Sequence, residues 1–147
     1  MNSSLVYLVQ TDTTVGFSSS NDEKLTKLKQ REKSKKILHT VNSFKTLNNF
    51  TRVPKYHRKF VRNSKKTTFI YSNLKSFRVV DKVSKFYDFI DKFDILYSTS
   101  ANKTSCNFEY EFAFLNTDVI VENNFGFFET TASKIYMLKN KKLKKIR

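Results

Sequence analysis

The feature that most constrains the fold is a run of five apolar residues, Leu-Val-Tyr-Leu-Val at positions 5–9, which ends at the polar residues 10–14. An apolar run without polar alternation is typical of a strand that is buried on both faces. A strand of this kind requires packed layers on both sides of its sheet. Residues 15–17 resume the apolar character. Further strands are predicted from β-branched and aromatic residues at positions 37–41, 67–71, 76–80, 94–98, 119–121 and 135–138.

Short helices are predicted between these strands. Ser20 and Glu23 have the spacing of a capping box, which predicts a helix through Leu25 and Leu28. Further helices are predicted at residues 43–50, 54–61 and 83–93. Strands and helices are mixed without strict alternation. We therefore expect one α/β domain over residues 1–147, a twisted mixed sheet flanked by short helices, with a basic tail at residues 139–147.

The charge of the chain predicts a polyanionic partner. Its 147 residues contain 28 Lys and Arg against 13 Asp and Glu, which gives a net charge of +15. Such an imbalance favours nucleic acid, nucleotide phosphates or an anionic surface. The single cysteine excludes an internal disulfide and fits a reducing compartment. There is no secretory signal and no apolar stretch of about 18 residues, so we expect a cytoplasmic protein outside the membrane.

The sequence lacks the residues that most enzyme classes need. It has two histidines, no paired carboxylates that suggest acid–base catalysis, and no Gly-rich phosphate loop. With one cysteine and two histidines, a zinc site is not expected. Hydroxyls, amides and cations near strand ends remain. These groups bind phosphates and position reactants, but they are poorly suited to covalent catalysis.

Three polar stretches follow predicted strands or helices. The first is Thr-Asp-Thr-Thr at residues 11–14, after the apolar run. The second is Lys-Gln-Arg at residues 29–31, with Lys35 four residues beyond Arg31. The third is Ser-Thr-Ser-Ala-Asn at residues 98–102, where a strand is expected to end. Ligands favour the carboxyl ends of strands in open α/β sheets, so the first and third stretches lie where a binding site is expected.

In order and spacing, these stretches resemble the YrdC-like family, whose catalytic members are threonylcarbamoyl-AMP synthases. The family's first strand is followed by Pro-Thr-Asp-Thr, and here Gln10 stands at the proline. Lys29 and Arg31 match its Lys-x-Arg motif, and Ser100 and Asn102 match its Ser-x-Asn motif. Weaker similarity continues at residues 66–69, 77–79 and 132–135.

The resemblance implies a YrdC-like fold and a specific reaction. Such an enzyme condenses L-threonine, bicarbonate and ATP into threonylcarbamoyl-AMP and releases pyrophosphate. The product serves the modification of an adenosine beside the tRNA anticodon, with threonylcarbamoyl transferase proteins as possible partners. Both reactants are anionic, so catalysis consists mainly of positioning and charge neutralisation.

The resemblance also implies a phosphate-binding set. Arg31 offers a planar fork to phosphate oxygens, and Lys29 and Lys35 supply point charges. Ser100 and Asn102 would hold phosphate oxygens, or the water shell of a Mg²⁺ that ATP carries. The expected catalytic residues are therefore Lys29, Arg31, Ser100 and Asn102.

Substrate binding is implied for a second set. Thr11 and Thr13 would hold the threonine or carbamate end of the substrate. Thr68 and Arg78 would bind the threonine carboxylate or line the pocket. Ser133 is a further candidate ligand, because residues 132–135 resemble a family Pro-Ser-Thr-Ile.

Each motif alone also fits an ordinary structural role. Residues 11–13 fit a turn after a strand, and residues 98–102 fit a cap for the next element. Residues 29–36 fit the basic end of a solvated helix, and Arg78 fits an ion pair at a sheet edge. The family's Pro-Gly-Pro is absent from residues 61–66, and Lys103 stands where a small residue is usual. The Gly-rich stretch is reduced to one glycine, Gly126, although glycines there allow close approach to a nucleotide.

These departures leave a second function open, a non-catalytic protein of the same fold that binds double-stranded RNA or tRNA. Its expected RNA contacts come from a basic segment without any acidic residue and from the basic tail. The residues of that segment are Arg52, Lys55, Arg58, Lys59, Arg62, Lys65 and Lys66. RNA binding through these side chains would weaken steeply with salt.

Overall fold

Nine strands form one mixed sheet in the computed structural model, which describes residues 1–30 and 36–147. The strands are β1 Tyr7–Gln10, β2 Val15–Ser19, β3 Leu38–Val41, β4 Thr67–Ile70, β5 Ser76–Val79, β6 Ile95–Ser100, β7 Val119–Val121, β8 Lys134–Lys139 and β9 Lys142–Lys145. The helices are α1 Asp22–Leu28, α2 Phe44–Phe50, α3 Arg58–Asn63, α4 Lys85–Ile90 and α5 Tyr110–Leu115, with a 3-10 helix at Lys55–His57.

The order of the strands across the sheet is β7-β1-β2-β6-β3-β5-β4-β8-β9. The pairs β1–β7, β3–β5 and β4–β8 are parallel, and the remaining pairs are antiparallel. The predicted mixed α/β sheet is therefore confirmed. Strands that are distant in sequence become neighbours, so β2 lies beside β6 and β4 beside β8.

The first strand shows why its sequence has no polar alternation. All four residues of β1 are buried. On one side, Tyr7 and Val9 pack with Phe86, Phe89 and Ile90 of α4. On the other side, Leu8 belongs to the cluster that contains Leu25 of α1 and Ala113 of α5. Complete burial of each such side chain contributes about 1.5–3 kcal/mol, so both faces of β1 contribute to the core.

Side-chain caps determine where three short helices begin. The N-cap of α1 is Asn21, whose Oδ1 accepts a hydrogen bond from the backbone N of Lys24 at 3.0 Å. The predicted Ser20–Glu23 capping box is therefore wrong by one residue. In the same way, Ser43 caps α2 by accepting from Thr46, and Ser84 caps α4 by accepting from Phe86. These caps satisfy amide groups that have no partner inside the helix.

The C-terminal segment differs most from its prediction. The basic residues 139–147, expected as a tail, contain β9, which pairs antiparallel with β8 from Lys139–Lys142 to Tyr136–Lys145. The backbone of Ile135 also bonds to that of Arg147, with N···O at 2.9 Å. Residues 142–145 are three lysines and Leu143, and this pattern is too weak to predict a strand. Pairing with β8 supplies the missing stabilisation.

No helix among residues 1–30 and 36–147 has the length and apolarity that crossing a lipid bilayer demands.

Candidate functional site

Polar ends of several strands and the β1–β2 turn surround a cavity of about 380 Å³. Its polar lining consists almost entirely of hydroxyls and cations. The hydroxyl residues are Thr11, Thr13, Thr14, Thr68, Ser76, Ser98, Thr99, Ser100 and Ser133, and the cations are Lys36, Arg78 and Arg147. Among the described residues, none that line this cavity is acidic. The cavity is therefore chemically suited to an anionic ligand.

The β1–β2 turn is held by the hydroxyl of Thr11. Its Oγ1 donates to the carbonyl of Thr14 at 2.6 Å and accepts from the backbone N of Thr13 at 3.2 Å. This turn bonding brings Thr11 and Thr13 to the cavity on one rigid loop. Gly16 follows the turn, and a Cβ there would lie 2.9 Å from the carbonyl oxygen of Thr99. The absence of a side chain at Gly16 thus allows β2 and β6 to approach closely.

Arg78 of β5 reaches across the sheet to this turn. Its Nη1 donates to Thr13 Oγ1 at 2.8 Å, and its Nη2 lies 3.4 Å from Asp12 Oδ1. Both charged side chains are 4% exposed. Burial lowers the pKa of Arg78, while the neighbouring Asp12 carboxylate opposes that shift. The contact between Arg78 Nη2 and Asp12 Oδ1 is an ion pair but not a hydrogen bond. Arg78 Nε and both Asp12 carboxylate oxygens have no hydrogen-bond partner among the described residues.

The opposite wall of the cavity joins Thr68, Ser133 and Arg147. Thr68 Oγ1 and Ser133 Oγ lie 3.1 Å apart. The guanidinium of Arg147 donates from Nε to the Ser133 carbonyl at 3.1 Å. The charge of Arg147 contributes to the lowered pKa of Arg78, so the two guanidinium groups are close enough to interact. Two cations and two hydroxyls thus face the same space.

Lys29 lies beside this cavity rather than in its lining. Its side chain is 3% exposed, and Nζ donates to the Ser100 carbonyl at 3.0 Å and to Asn102 Oδ1 at 2.7 Å. It also donates to the backbone carbonyl of Asn102. The backbone carbonyl of Lys29 in turn accepts from Thr104 Oγ1 at 2.7 Å. Lys29 therefore joins the end of α1 to the turn that follows β6.

The structure places the sequence-predicted residues in three groups. Thr11, Thr13, Thr68, Arg78, Ser100 and Ser133 surround the cavity. Lys29 and Asn102 contact Ser100 or each other next to it. Arg31 and Lys35 lie outside the described residues. The catalytic and binding roles assigned to all ten residues remain predictions.

Sequence reasoning missed two charged residues at this site. Asp12 was part of a matched motif but had no assigned role, and only the folded structure pairs it with Arg78. Arg147 was assigned to a tail, yet it lines the cavity. A basic run gives no signal that singles out its last residue. The pairing of β9 with β8 brings Arg147 back toward Ser133.

Comparison with solved structures supports the fold. E. coli YciO matches with a TM-score of 0.77 at 14% identity, over 98% of this chain and 82% of that one. MTH1692 from Methanobacterium thermoautotrophicum matches with 0.71 at 15%, over 98% and 80%. P. abyssi Sua5, in a complex with L-threonine, matches with 0.75 at 12%, over 98% of this chain but 50% of its own.

The fold is therefore YrdC-like, as the sequence motifs predicted. Comparison of sequences finds no matching family model and no matching curated protein. The chain spans about four fifths of YciO and MTH1692 but only about half of Sua5.

Proposed function

We propose that this protein is an L-threonylcarbamoyladenylate synthase, a nucleotidyltransferase that joins L-threonine, bicarbonate and ATP. The observation that supports this most is the cavity whose polar lining combines nine hydroxyl residues with Lys36, Arg78 and Arg147. An enzyme that brings two anions together needs cations and hydrogen-bond donors rather than a nucleophile. The solved complex of P. abyssi Sua5 with L-threonine has the same fold and agrees with this proposal.

In the proposed reaction, the amine of L-threonine and bicarbonate first form N-carboxy-threonine, with loss of water. The carboxylate of its carbamate group then attacks the α-phosphate of ATP, and the bond to pyrophosphate breaks. Thr11 and Thr13 hold the threonine end, since their hydroxyls lie on the rigid β1–β2 turn. Arg78 and Arg147 neutralise charge on the approaching anions from within the cavity. Because Arg78 is almost fully buried, its guanidinium acts in a medium where electrostatic attraction is strong.

Ser100 contacts phosphate oxygens or the water shell of the Mg²⁺ that arrives with ATP. Within the described part of the chain, no cluster of three or more His, Cys, Asp or Glu could hold a metal ion. Lys29 acts through Ser100 and Asn102, because its Nζ is bonded to both.

Pyrophosphate release tests the proposal directly. The protein is incubated with Mg-ATP, bicarbonate and L-threonine, and with L-serine or no amino acid as controls. We expect release that depends on L-threonine and on bicarbonate, and that falls at least tenfold in Arg147→Gln. The matched control, Lys144→Gln, removes an exposed charge from β9 and should leave the rate unchanged. Absence of threonine-dependent release would refute the proposed reaction, and equal rates in the two variants would refute the role of Arg147.

A second candidate function is RNA binding, supported by how the positive charge is distributed. Residues 33–80 contain 13 Lys and Arg and no acidic residue, and residues 134–147 contain seven and none. Strands from these two segments are adjacent in the order β3-β5-β4-β8-β9. Lys141 lies with Nζ 5.4 Å from the centre of the Tyr56 ring, so the β8–β9 turn meets the 3-10 helix. Residues 36–80 and 134–147 thus form one side of the molecule.

The two functions are separated by measuring both ligands on one preparation. A synthase binds Mg-ATP and releases pyrophosphate, whether or not it also binds RNA. A non-catalytic RNA-binding protein binds tRNA or double-stranded RNA with a steep salt dependence and leaves ATP unchanged. RNA binding that does not vary with salt would exclude a contact made mainly to phosphates.

A further inference from the structure

Residues 104–133 are opposite in character to the rest of the chain. This segment of 30 residues contains no Lys or Arg, although 28 of the 147 residues are basic. It contains five acidic residues, Glu109, Glu111, Asp118, Glu122 and Glu129. It also contains seven aromatic residues, Phe108, Tyr110, Phe112, Phe114, Phe125, Phe127 and Phe128. Residues 104–133 therefore have a net charge of −5, although the whole chain has a net charge of +15.

The fold leaves much of this apolar material at the surface. In α5, Ala113 is fully buried and Phe112 packs edge-on against Phe17, with ring centres 6.3 Å apart. The other side of the helix exposes Tyr110, Phe114 and Leu115, the last with 79% of its surface accessible. The Tyr110 and Phe114 rings stack at 4.9 Å, and Phe127 lies 6.0 Å from Tyr110. Exposed apolar clusters of this kind, bordered by charge, mark interaction surfaces.

Helix α5 and strand β7 of this segment lie at the end of the sheet opposite to β8 and β9. Strand β7, at one edge, belongs to residues 104–133, and β9, at the other edge, belongs to residues 134–147. We call the surface of Glu109, Tyr110, Glu111, Phe114 and Leu115 the acidic end. We call the surface of Lys55, Tyr56, Lys59, Phe60 and Lys141 the basic end. The basic end also exposes aromatic rings, since Tyr56 is 66% and Phe60 39% accessible.

We propose that the acidic end of one molecule docks on the basic end of a second copy of this chain. The acidic end presents the exposed Glu111, whereas its Glu109 is paired with Lys103 of the same molecule at 3.2 Å. The basic end presents exposed lysines, and both ends expose aromatic rings. Because the two ends are different surfaces, the contact is heterologous and can continue from molecule to molecule. Contacts between like ends are disfavoured by repulsion of like charges. The lysines of β9 also prevent this edge strand from pairing with its own copy.

The net positive charge of each molecule opposes this association only at long range. At about 0.1 M salt the screening length is about 10 Å, so remote charges on two copies scarcely repel. Charges that meet at the contact are screened much less. We therefore expect association at about 0.1 M salt and weaker association at 0.5 M, with the aromatic contacts remaining.

Sedimentation velocity over a range of protein concentrations tests the proposal. The variant Glu111→Lys/Leu115→Ser alters only the acidic end, and Lys59→Glu/Lys141→Glu alters only the basic end. Each variant alone should be monomeric at concentrations where the unmodified protein associates. An equimolar mixture should associate, because each variant retains the end that the other has lost and the reversed charges of the two altered ends complement each other.

Two controls separate this contact from a general effect of charge or folding. Asp88→Lys makes the same charge change as Glu111→Lys, also in the first turn of a six-residue helix, but at neither end. Lys82→Glu/Lys92→Glu matches the charge change at the basic end. Both controls should associate like the unmodified protein. A protein that is monomeric at every salt and concentration would overturn the proposal, as would loss of association in the controls or a mixture that stays monomeric.

Discussion

The two ends of the sheet have cores of similar composition but opposite surface charge. At the β7–β1–β2 end, Leu8, Phe17 and Leu25 are buried under an acidic, aromatic surface. At the β4–β8–β9 end, Phe69 and Leu138 are buried in an equally apolar cluster, under a surface with no acidic residue in its two main segments. Composition alone therefore does not explain how the positive charge is distributed over the surface. A uniform excess of lysine would have made both ends of the sheet basic.

The candidate cavity lies between these two ends. Thr11 and Thr13 come from the β1–β2 turn, whereas Thr68, Arg78 and Ser133 come from β4, β5 and the segment before β8. The Asp12–Arg78 ion pair joins the two sides directly. The difference between the ends thus explains why a cavity made mostly of hydroxyls also contains cations.

The largest expected effect follows from breaking the ion pair between the two ends. Arg78→Met leaves the Asp12 carboxylate buried without its cation, which costs about 3–5 kcal/mol of unfolding free energy. Urea denaturation followed by circular dichroism measures the loss. The double variant Asp12→Asn/Arg78→Met should recover much of it, because no uncompensated charge remains. If the double variant is as unstable as the single one, the pair does not hold the two ends together.

The next effect tests whether the basic end binds RNA. Lys55→Gln/Lys59→Gln should lower the slope of log affinity against log salt by about 2 and reduce affinity roughly 50-fold at 0.1 M salt, if each lysine contacts one phosphate. Fluorescence anisotropy with labelled tRNA measures both quantities. The matched control Lys27→Gln/Lys92→Gln removes two exposed lysines away from the basic end. Equal losses in both variants would show that the RNA does not distinguish the ends.

A smaller effect is expected from substituting Gly16 of β2, at the β7–β1–β2 end of the sheet. Gly16→Ala places a Cβ 2.9 Å from the backbone oxygen of Thr99, so β2 and β6 must separate, at a cost of about 1–3 kcal/mol. Gly126→Ala meets no atom within 4 Å and is strained only by its φ of +65°, which costs about 1 kcal/mol. Thermal denaturation compares the two variants. A larger loss for Gly126→Ala would contradict the close approach at Gly16.

The smallest effect concerns His39 of β3, in the middle of the sheet. Burial lowers the pKa of His39 below its usual value near 6.5, although its bond to the Ser76 carbonyl opposes the shift. Below pH 6.5 the unfolded chain then binds a proton that the folded chain does not. The unfolding free energy should therefore fall as pH decreases from 6.5 to the folded pKa, and then level off.

The variant His39→Phe isolates this contribution, since a phenyl ring can occupy the space between Phe77 and Tyr97. Denaturant titrations of both proteins between pH 5 and 8 measure the difference. The difference should vary with pH only below about 6.5. A difference that is constant with pH would show that His39 titrates alike in the folded and unfolded chains.

The sequence predicted most of the strands, because strands buried on both faces consist mainly of apolar and β-branched residues. Residues 5–9 and 67–71 contain strands close to where they were expected. The β9 strand was not predicted, since three of its four residues are lysines. Helix α5 was not predicted either, since its six residues are too few to show a clear helical periodicity. The cap of α1 was misplaced because Ser20 and Asn21 are both good capping residues, and only the chain path selects one.

The candidate site was partly predictable for the same reason. Hydroxyl residues that follow strands can be recognised locally, and Thr11, Thr13 and Ser100 do line the cavity. Lys29 and Asn102 were expected to face the ligand as well. In the fold, the lysine Nζ donates to Asn102 and to the Ser100 carbonyl beside the cavity, because a buried ammonium needs nearby acceptors. The roles of both residues toward a ligand remain predictions.

The sequence by itself determined the apolar strands, the polar residues that follow them and the division of charge between segments, since each depends only on neighbouring residue types. The tertiary structure alone decided which segments meet. Pairing of β4 with β8 and of β8 with β9 brings Ser133 and Arg147 to Thr68, over sequence separations that no local pattern encodes. The same pairing brings Arg147, the last residue of a basic run, into the lining of the candidate cavity.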